Sequence, residues 1–505
     1  MKAETKYKGS IKLSAIGDAL GWITEFEKSK SDLKNKYSTD YIESFHDWEK
    51  QVGGRFHGYL DHIKAGSYSD DTQLLLSVAR SIQPDGSIDK NYFSKVELPY
   101  WLEYSRGAGR TIKNAARKIK RKSAEWNNNF FNFKVGKNYV DYRDSGANGA
   151  AMRILPITLA NLTETDKIKE EIFANSIVTH GHPRAILGAM VYGISVDTII
   201  RYKPDIFDYK SFLTMIGKNF HDNFAIPFIE KPEYQNWLNQ WNTNNKIPFL
   251  DSYYKTLSEA QAYLRDIYKF QSPNITDHDA LKKLGCFDPK TKGSGISTVM
   301  AGIYFATKYA SEPIKGIEKA VNAIGTDTDS IAAFTGGLLG GLHGHSIIPK
   351  KWKNVQDADY LDNIAKHLLE ISEDRAKSPR SQEYSNLKTI SDINDDIVEE
   401  DEKIYFKPLG VGKIKNIDRQ KTLKKGQYNL ILEIEFEIGQ SCIFPKLLKS
   451  EEFPKEKKTN NNFPIESLNI NSKTQKRIYD FMNKLDGKDK MEFLDIIKKI
   501  KEERG

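Results

Sequence analysis

Apolar residues recur at helical spacing over 11–22, 72–82, 151–162, 183–200, 296–309 and 331–342, so each stretch is predicted to form a helix with a buried face. Residues 357–376 read as a last amphipathic helix. Glycine recurs inside several of these stretches, at Gly188, Gly193, Gly302, Gly336, Gly337, Gly340 and Gly341. A glycine within a helix costs roughly 1 kcal/mol against alanine. Its repeated use predicts close helix–helix contact or backbone lining a ligand site. The segment 203–290 is rich in aromatics and asparagine and shows no period from which elements can be assigned.

The pattern then changes. Residues 377–402 hold Ser378, Pro379, Ser381, Ser391 and the acids Asp395, Asp396, Glu399, Glu400, Asp401 and Glu402, which reads as an acidic flexible linker. From Leu432 to Ile438 apolar and acidic residues alternate, the period of a half-buried strand, with turn glycines at Gly410, Gly412, Gly426 and Gly439. Over 466–505 a helical stripe returns at Met491, Leu494, Ile497 and Ile500. The expected organisation is a helical domain over 1–376, a linker over 377–402, and a small basic α+β domain over 403–505. A chain of 505 residues is too long for one ordinary core, which agrees with more than one domain.

Composition changes this picture little. Hydrophobic residues make up 39% and charged residues 29%, a globular balance with a polar tilt. There is no run of eighteen apolar residues and no signal-peptide core behind the first residues, so a cytoplasmic protein without membrane contact is expected. Cys286 and Cys442 are too few for a structural zinc site and are read as reduced, buried thiols. The net charge of +8 is concentrated after residue 402. That excess suits a protein partner for the C-terminal domain better than nucleic acid, although a lysine-rich helix is most often simply a solvated face.

Two acidic clusters carry the candidate chemistry. Ser69-Asp70-Asp71-Thr72 and Thr326-Asp327-Thr328-Asp329-Ser330 each precede a predicted helix. Such residues cap orphan amides, but one cap needs one oxygen. Four carboxylates brought together would repel strongly, and a hard divalent cation such as magnesium or manganese would relieve them.

Together with three further segments, these clusters resemble the ADP-ribosylglycohydrolase family, which includes the dinitrogenase reductase-activating glycohydrolase and the ADP-ribosyl-arginine and ADP-ribosyl-serine hydrolases. Gly17-Asp18-Ala19-Leu20-Gly21 followed by Glu25 resembles the family's opening segment. The segment 146–153, from Gly146, Ala147 and Asn148 to Met152 and Arg153, resembles its glycine-rich loop, and Thr179-His180-Gly181-His182-Pro183 its histidine segment. The resemblance covers about residues 8–375 and implies an all-α, compact helical domain.

It also implies a binuclear site for two Mg2+ or Mn2+ ions, with Ser69, Asp70, Asp71, Asp327, Asp329 and Ser330 as ligands. The ions would hold the distal ribose of ADP-ribose and bind or polarise a water. Glu25, Asp70 and Asp71 are the implied catalytic acids, acting on a glycosidic bond through an oxocarbenium-like state. Gly146, Asn148, Gly149, Ala150 and Met152 would cradle substrate, His180 would line the pocket, and Gly107 and Gly109 would form a second glycine loop. Arg153, placed in a predicted helix, is read as a structural ion pair. His343 and His345, near a helix end, receive no catalytic role. The implied substrate is an ADP-ribosylated protein. Rival readings are hydrolysis of a small ADP-ribose-containing metabolite or an ADP-ribosylated nucleic acid, and a non-catalytic ADP-ribose-binding or complex-forming protein.

Overall fold

A computed structural model describes residues 2–376, 387–393 and 398–449. The expected helix over 466–505 and most of the expected linker lie outside the described residues. The helices that frame the interior are α1 (Ala3–Thr24), α2 (Asp70–Arg80), α3 (Arg110–Ile119), α4 (Thr165–Ile177), α5 (Pro183–Ile199), α6 (Phe249–Phe270), α7 (Gly295–Lys308), α8 (Thr328–His343) and α9 (Ala358–Ser372). Short hairpins interrupt the helical body: β1 (Trp48–Val52) with β2 (Tyr59–Ile63), and β3 (Asn132–Val135) with β4 (Asn138–Asp141).

Glycine decides how α1 and α8 meet. A Cβ on Gly336 would lie 2.0 Å from the Leu13 carbonyl oxygen, and one on Gly340 would lie 2.1 Å from that of Gly9. From the other helix, a Cβ on Gly17 would lie 2.2 Å from the Ala332 oxygen and one on Gly21 2.4 Å from the Thr328 oxygen. No side chain fits such gaps, so the helices pack backbone to backbone and antiparallel. The close approach offsets the low helix propensity of glycine. It brings the end of α1, where Glu25 stands, against the start of α8, where Asp327 and Asp329 stand.

One predicted helix is corrected. Residues 151–162 do not form a single helix. Asn148–Arg153 is a 3-10 turn and Leu155–Ala160 a separate short helix, with Pro156 in its first turn. Proline has no N–H to give the preceding turn, so it starts a helix here and cannot continue one. The unassigned 203–290 segment supplies α6 and an aromatic cluster in which Trp237 meets Phe173 and Phe249 edge-on at 5.3 and 4.8 Å.

β5 (Lys403–Phe406), β6 (Gly410–Lys421), β7 (Gln427–Phe436) and β8 (Ser441–Lys449) form one antiparallel sheet in that order. The strand read at 432–438 starts earlier and stops earlier, because Gly439, at φ +98°, turns the chain into β8. The sheet and the helical body form one compact unit through Lys449. Phe406 and Phe444 pack on Tyr104, and Arg80 donates 2.6 Å to Gln440 Oε1. The described 387–393 lies along the sheet: Ile390 and Ile393 are buried, and Lys446 donates to the Ile390 and Ser391 carbonyls at 3.1 Å. No helix among the described residues is long and apolar enough to cross a membrane.

Candidate functional site

The ends of α1, α2 and α8 converge on one group of carboxylates. Glu25, Asp327 and Asp329 each place an oxygen within 4.8 Å of the others. Asp71 joins from α2, its Oδ2 accepting 2.7 Å from Ser330 Oγ of α8. Asp70, Asp71 and Asp329 are buried. The positive N-terminal ends of α2 and α8 face this concentration of charge.

Capping does not account for these acids. At the start of α2, the Asp71 amide donates to Ser69 Oγ at 3.2 Å. The Ser69 and Thr72 amides and the Thr72 hydroxyl donate to Asp18, which is wholly buried in α1, at 2.6–3.2 Å. Ser69 and Asp18 thus do the capping and leave the Asp70 and Asp71 carboxylates free to face the centre. Asp327 precedes α8 without making a side-chain cap. Asp329 accepts 2.8 Å from the neighbouring Ser330 amide.

The electrostatics carry the mark of crowding. Burial and then the charge of Asp327 push Glu25 up to about 8. Burial and then Asp18 push Asp70 up to about 7. Burial holds Asp71 and Asp329 well above the carboxylate range; Asp18 and Asp70 add to it for Asp71, and Glu25 and Asp327 for Asp329. Lys50 and Lys113, the cations that bear on this group, are themselves depressed by burial. Hard oxygen donors that repel one another without a cation fit a divalent metal such as magnesium or manganese.

The glycine segments sit around this centre. Gly107, at φ +88°, passes so close that a Cβ there would be 2.8 Å from Asp70 Oδ1. Gly109 starts α3 with open space around it. Asn148 Nδ2 donates 3.3 Å to Asp327 Oδ2, and its amide donates 2.9 Å to the Gly293 carbonyl. A Cβ on Gly149 would meet His180 Cε1 at 2.9 Å and one on Gly146 would meet His182 Nδ1 at 3.3 Å. Ala150 and Met152 are buried in the same turn. His180 is 1% exposed; its Nδ1 pairs with Thr179 Oγ1 at 2.8 Å, while Nε2 has no partner among the described residues. Burial and then the charge of Arg153 hold its ring neutral. A buried ring nitrogen left unpaired is costly unless a ligand meets it. His182 caps α5, its Nδ1 accepting 3.0 Å from the Arg184 amide.

Arg153 departs from the expected ion pair. Its guanidinium, fully buried, donates among the described residues only to neutral acceptors: the Gly149 carbonyl at 2.7 Å, Asn175 Oδ1 at 2.8 Å, and the Asn175 carbonyl and Thr179 Oγ1 at 2.9 Å. It ties the 148–153 turn to the histidine segment. The aromatic cluster stands behind that segment, with Trp241 Nε1 donating 2.8 Å to the Gly181 carbonyl. Sequence reasoning gave Asp18 no role. Its signal was an acid inside an otherwise apolar, small-residue helix.

The chain is similar to several known proteins. Over 189 residues the chain is 29% identical to the ADP-ribosyl-dinitrogen reductase glycohydrolase of Rhodospirillum rubrum, covering 37% of this chain and 55% of that protein, so it spans about half the relative's length. It is 21% identical to the ADP-ribosylhydrolase ARH3 of Xenopus tropicalis, covering 69% of this chain and 90% of that one. It is 22% identical to the ADP-ribosylarginine hydrolase Tri1 of Serratia proteamaculans, covering 72% and 79%. Residues 1–378 match the ADP-ribosylglycohydrolase family, and the chain belongs to that family of glycosidic-bond hydrolases.

Proposed function

We propose that the protein hydrolyses the glycosidic bond between ADP-ribose and an acceptor, reversing ADP-ribosylation of a protein, at a binuclear magnesium or manganese site. The observation that carries this reading is the convergence of Glu25, Asp327 and Asp329 oxygens within 4.8 Å in a chain of this family. A protein acceptor is favoured because one relative is named for ADP-ribosyl-dinitrogen reductase and another for ADP-ribosylarginine, an enzyme and an amino-acid side chain that carry ADP-ribose.

Asp70, Asp71, Asp327 and Asp329 would hold the ions, with the Ser69 and Ser330 hydroxyls as neutral oxygens. Bound there, the ions would anchor ribose hydroxyls and polarise water. The chain's own groups do the rest. The 146–152 turn offers backbone at close range for the diphosphate, as its glycines allow. The unpaired His180 Nε2 accepts or donates a hydrogen bond to substrate. Glu25, raised to about 8 in the metal-free site by burial and then by the charge of Asp327, would give its proton to the leaving acceptor atom as the bond to the anomeric carbon breaks. Asp70 or Asp71 takes a proton from the water whose oxygen forms the new bond.

The test is to incubate the full chain with arginine-, serine- and nucleotide-linked ADP-ribose, with and without Mg2+ or Mn2+. Metal-dependent release of ADP-ribose from a protein side chain is expected. Binding of ADP-ribose with no turnover on any linkage would overturn the reading.

A further inference from the structure

Lys50 lies in β1, and its ammonium sits 3.5 Å above the centre of the ring of Phe26, the residue that follows Glu25. No ion pair holds it among the described residues, yet it lies in the field of Glu25, Asp70 and Asp329, with Glu25 acting most strongly. A lysine on a surface hairpin would ordinarily extend into water; this one is half-buried over an aromatic face at the site.

The hairpin that carries it is held from two sides. Lys50 pairs across the hairpin with Asp61, and Asp61 makes a two-pronged bond to Arg106 at 2.7 and 3.0 Å. Arg106 precedes Gly107, which abuts Asp70. On its far edge, β2 is gripped by the C-terminal sheet: Gln420 accepts from the Leu60 amide at 2.7 Å and donates to its carbonyl at 2.8 Å. Asn429 donates to the His57 carbonyl at 3.0 Å, and Lys64 pairs with Glu433 at 2.7 Å. The sheet lies beyond residue 378, where the family match stops.

We propose that Lys50 is a specificity-determining residue on the acceptor side of the site, disfavouring a cationic, guanidinium-linked acceptor and favouring a neutral, hydroxyl-linked one, and that the C-terminal sheet sets its position by gripping the β1–β2 hairpin. The inference rests on the proposed hydrolase reading, in which Glu25 serves the leaving atom. A guanidinium brought to Glu25 would also be brought to Lys50, and like charges in partial burial repel. A hydroxyl oxygen meets no such penalty and can accept from the ammonium. Specificity of this kind is set by the repulsive element as much as by attraction.

The experiment measures kcat/KM of the full chain for arginine-linked and serine-linked ADP-ribose peptides in wild type, K50A, K50R and Q420A, with Mg2+ present. Wild type is expected to prefer the serine linkage. K50A should raise the arginine-to-serine ratio by about tenfold or more, tenfold being the change that about 1.4 kcal/mol of removed repulsion makes. K50R should restore the ratio, and Q420A should move it in the direction of K50A. An unchanged ratio in K50A, or a wild-type preference for arginine, overturns the inference while leaving the hydrolase reading intact. A wild type that releases ADP-ribose from neither peptide or any other linkage overturns both. An unmoved ratio in Q420A removes the role given to the sheet.

Discussion

Replacing Asp327 by asparagine is expected to abolish activity and yet strengthen the metal-free fold. Two unit charges 4.8 Å apart repel by about 3.5 kcal/mol at an effective dielectric near 20. The folded protein avoids part of that cost by keeping protons: a carboxyl lifted from 4.5 to about 8, as Glu25 is, costs the fold about 5 kcal/mol once the pH exceeds both values. Burial is the larger cause of that lift and Asp327 the next, so removing the Asp327 charge should return about 1–2 kcal/mol. The sign follows from the direction of the shift. A raised carboxyl favours the fold below its unfolded value, and that contribution is lost as pH rises through the folded value. Metal-free wild type should therefore weaken from about pH 4.5 toward pH 8, and D327N less so. Thermal melts in chelator at pH 5.5 and 8.5 should show little difference at the lower pH and a midpoint about 1–3 °C higher for the variant at the upper one. Added Mg2+ or Mn2+ should stabilise wild type far more than D327N, and ADP-ribose release should fall beyond the roughly 10–100-fold typical of residues behind a metal's ligands. A variant less stable than wild type at pH 8.5 without metal, or one that turns over at the wild-type rate, would refute the reasoning.

Other consequences are open to direct measurement. Gly107→Ala places a Cβ 2.8 Å from Asp70 Oδ1 at φ +88°, so it should cost about 1–2 kcal/mol of stability and weaken Mn2+ binding in calorimetry; unchanged affinity would argue that Asp70 is not a ligand. Asp18→Asn sets an amide among donor groups of Ser69 and Thr72, and a loss of about 1–3 kcal/mol in denaturant melts is expected; neutrality would show that α2 does not depend on this cap. Mn2+ affinity should rise from pH 6 to 8.5, because the proton on Asp70 (about 7) competes with the ion; a flat profile would count against Asp70 as a ligand.

The helices were legible because their apolar residues keep a 3.6 period, and the observed bounds of α5 and α7 lie within a residue of those read at 183–200 and 296–309. The failure at 151–162 has a local cause in Pro156, which the period alone ignores. The C-terminal strand was legible as a strand but not as a packed one. Tyr428 to Leu432 are buried in succession, so both faces of β7 are covered there, and only the short apolar run Leu430-Ile431-Leu432, not the alternation after it, carries that information.

The acidic clusters were visible as helix starts, but convergence of residues 69–71 with 327–330 is a tertiary fact. What brings the latter to Glu25 is the glycine seam between α1 and α8, and that seam was visible only as an excess of glycine. Lys50 gave no sign, since its setting depends on contacts made some 370 residues later by Gln420, in a part of the chain where the family pattern is silent. The residues that break local rules are the informative ones. Paired acids beyond what caps require, a histidine buried with a bare nitrogen, and a lysine drawn inward each cost stability where they stand. The same places are where the reaction is proposed, which is the pattern expected when a fold consistent elsewhere gives up local stability for chemistry.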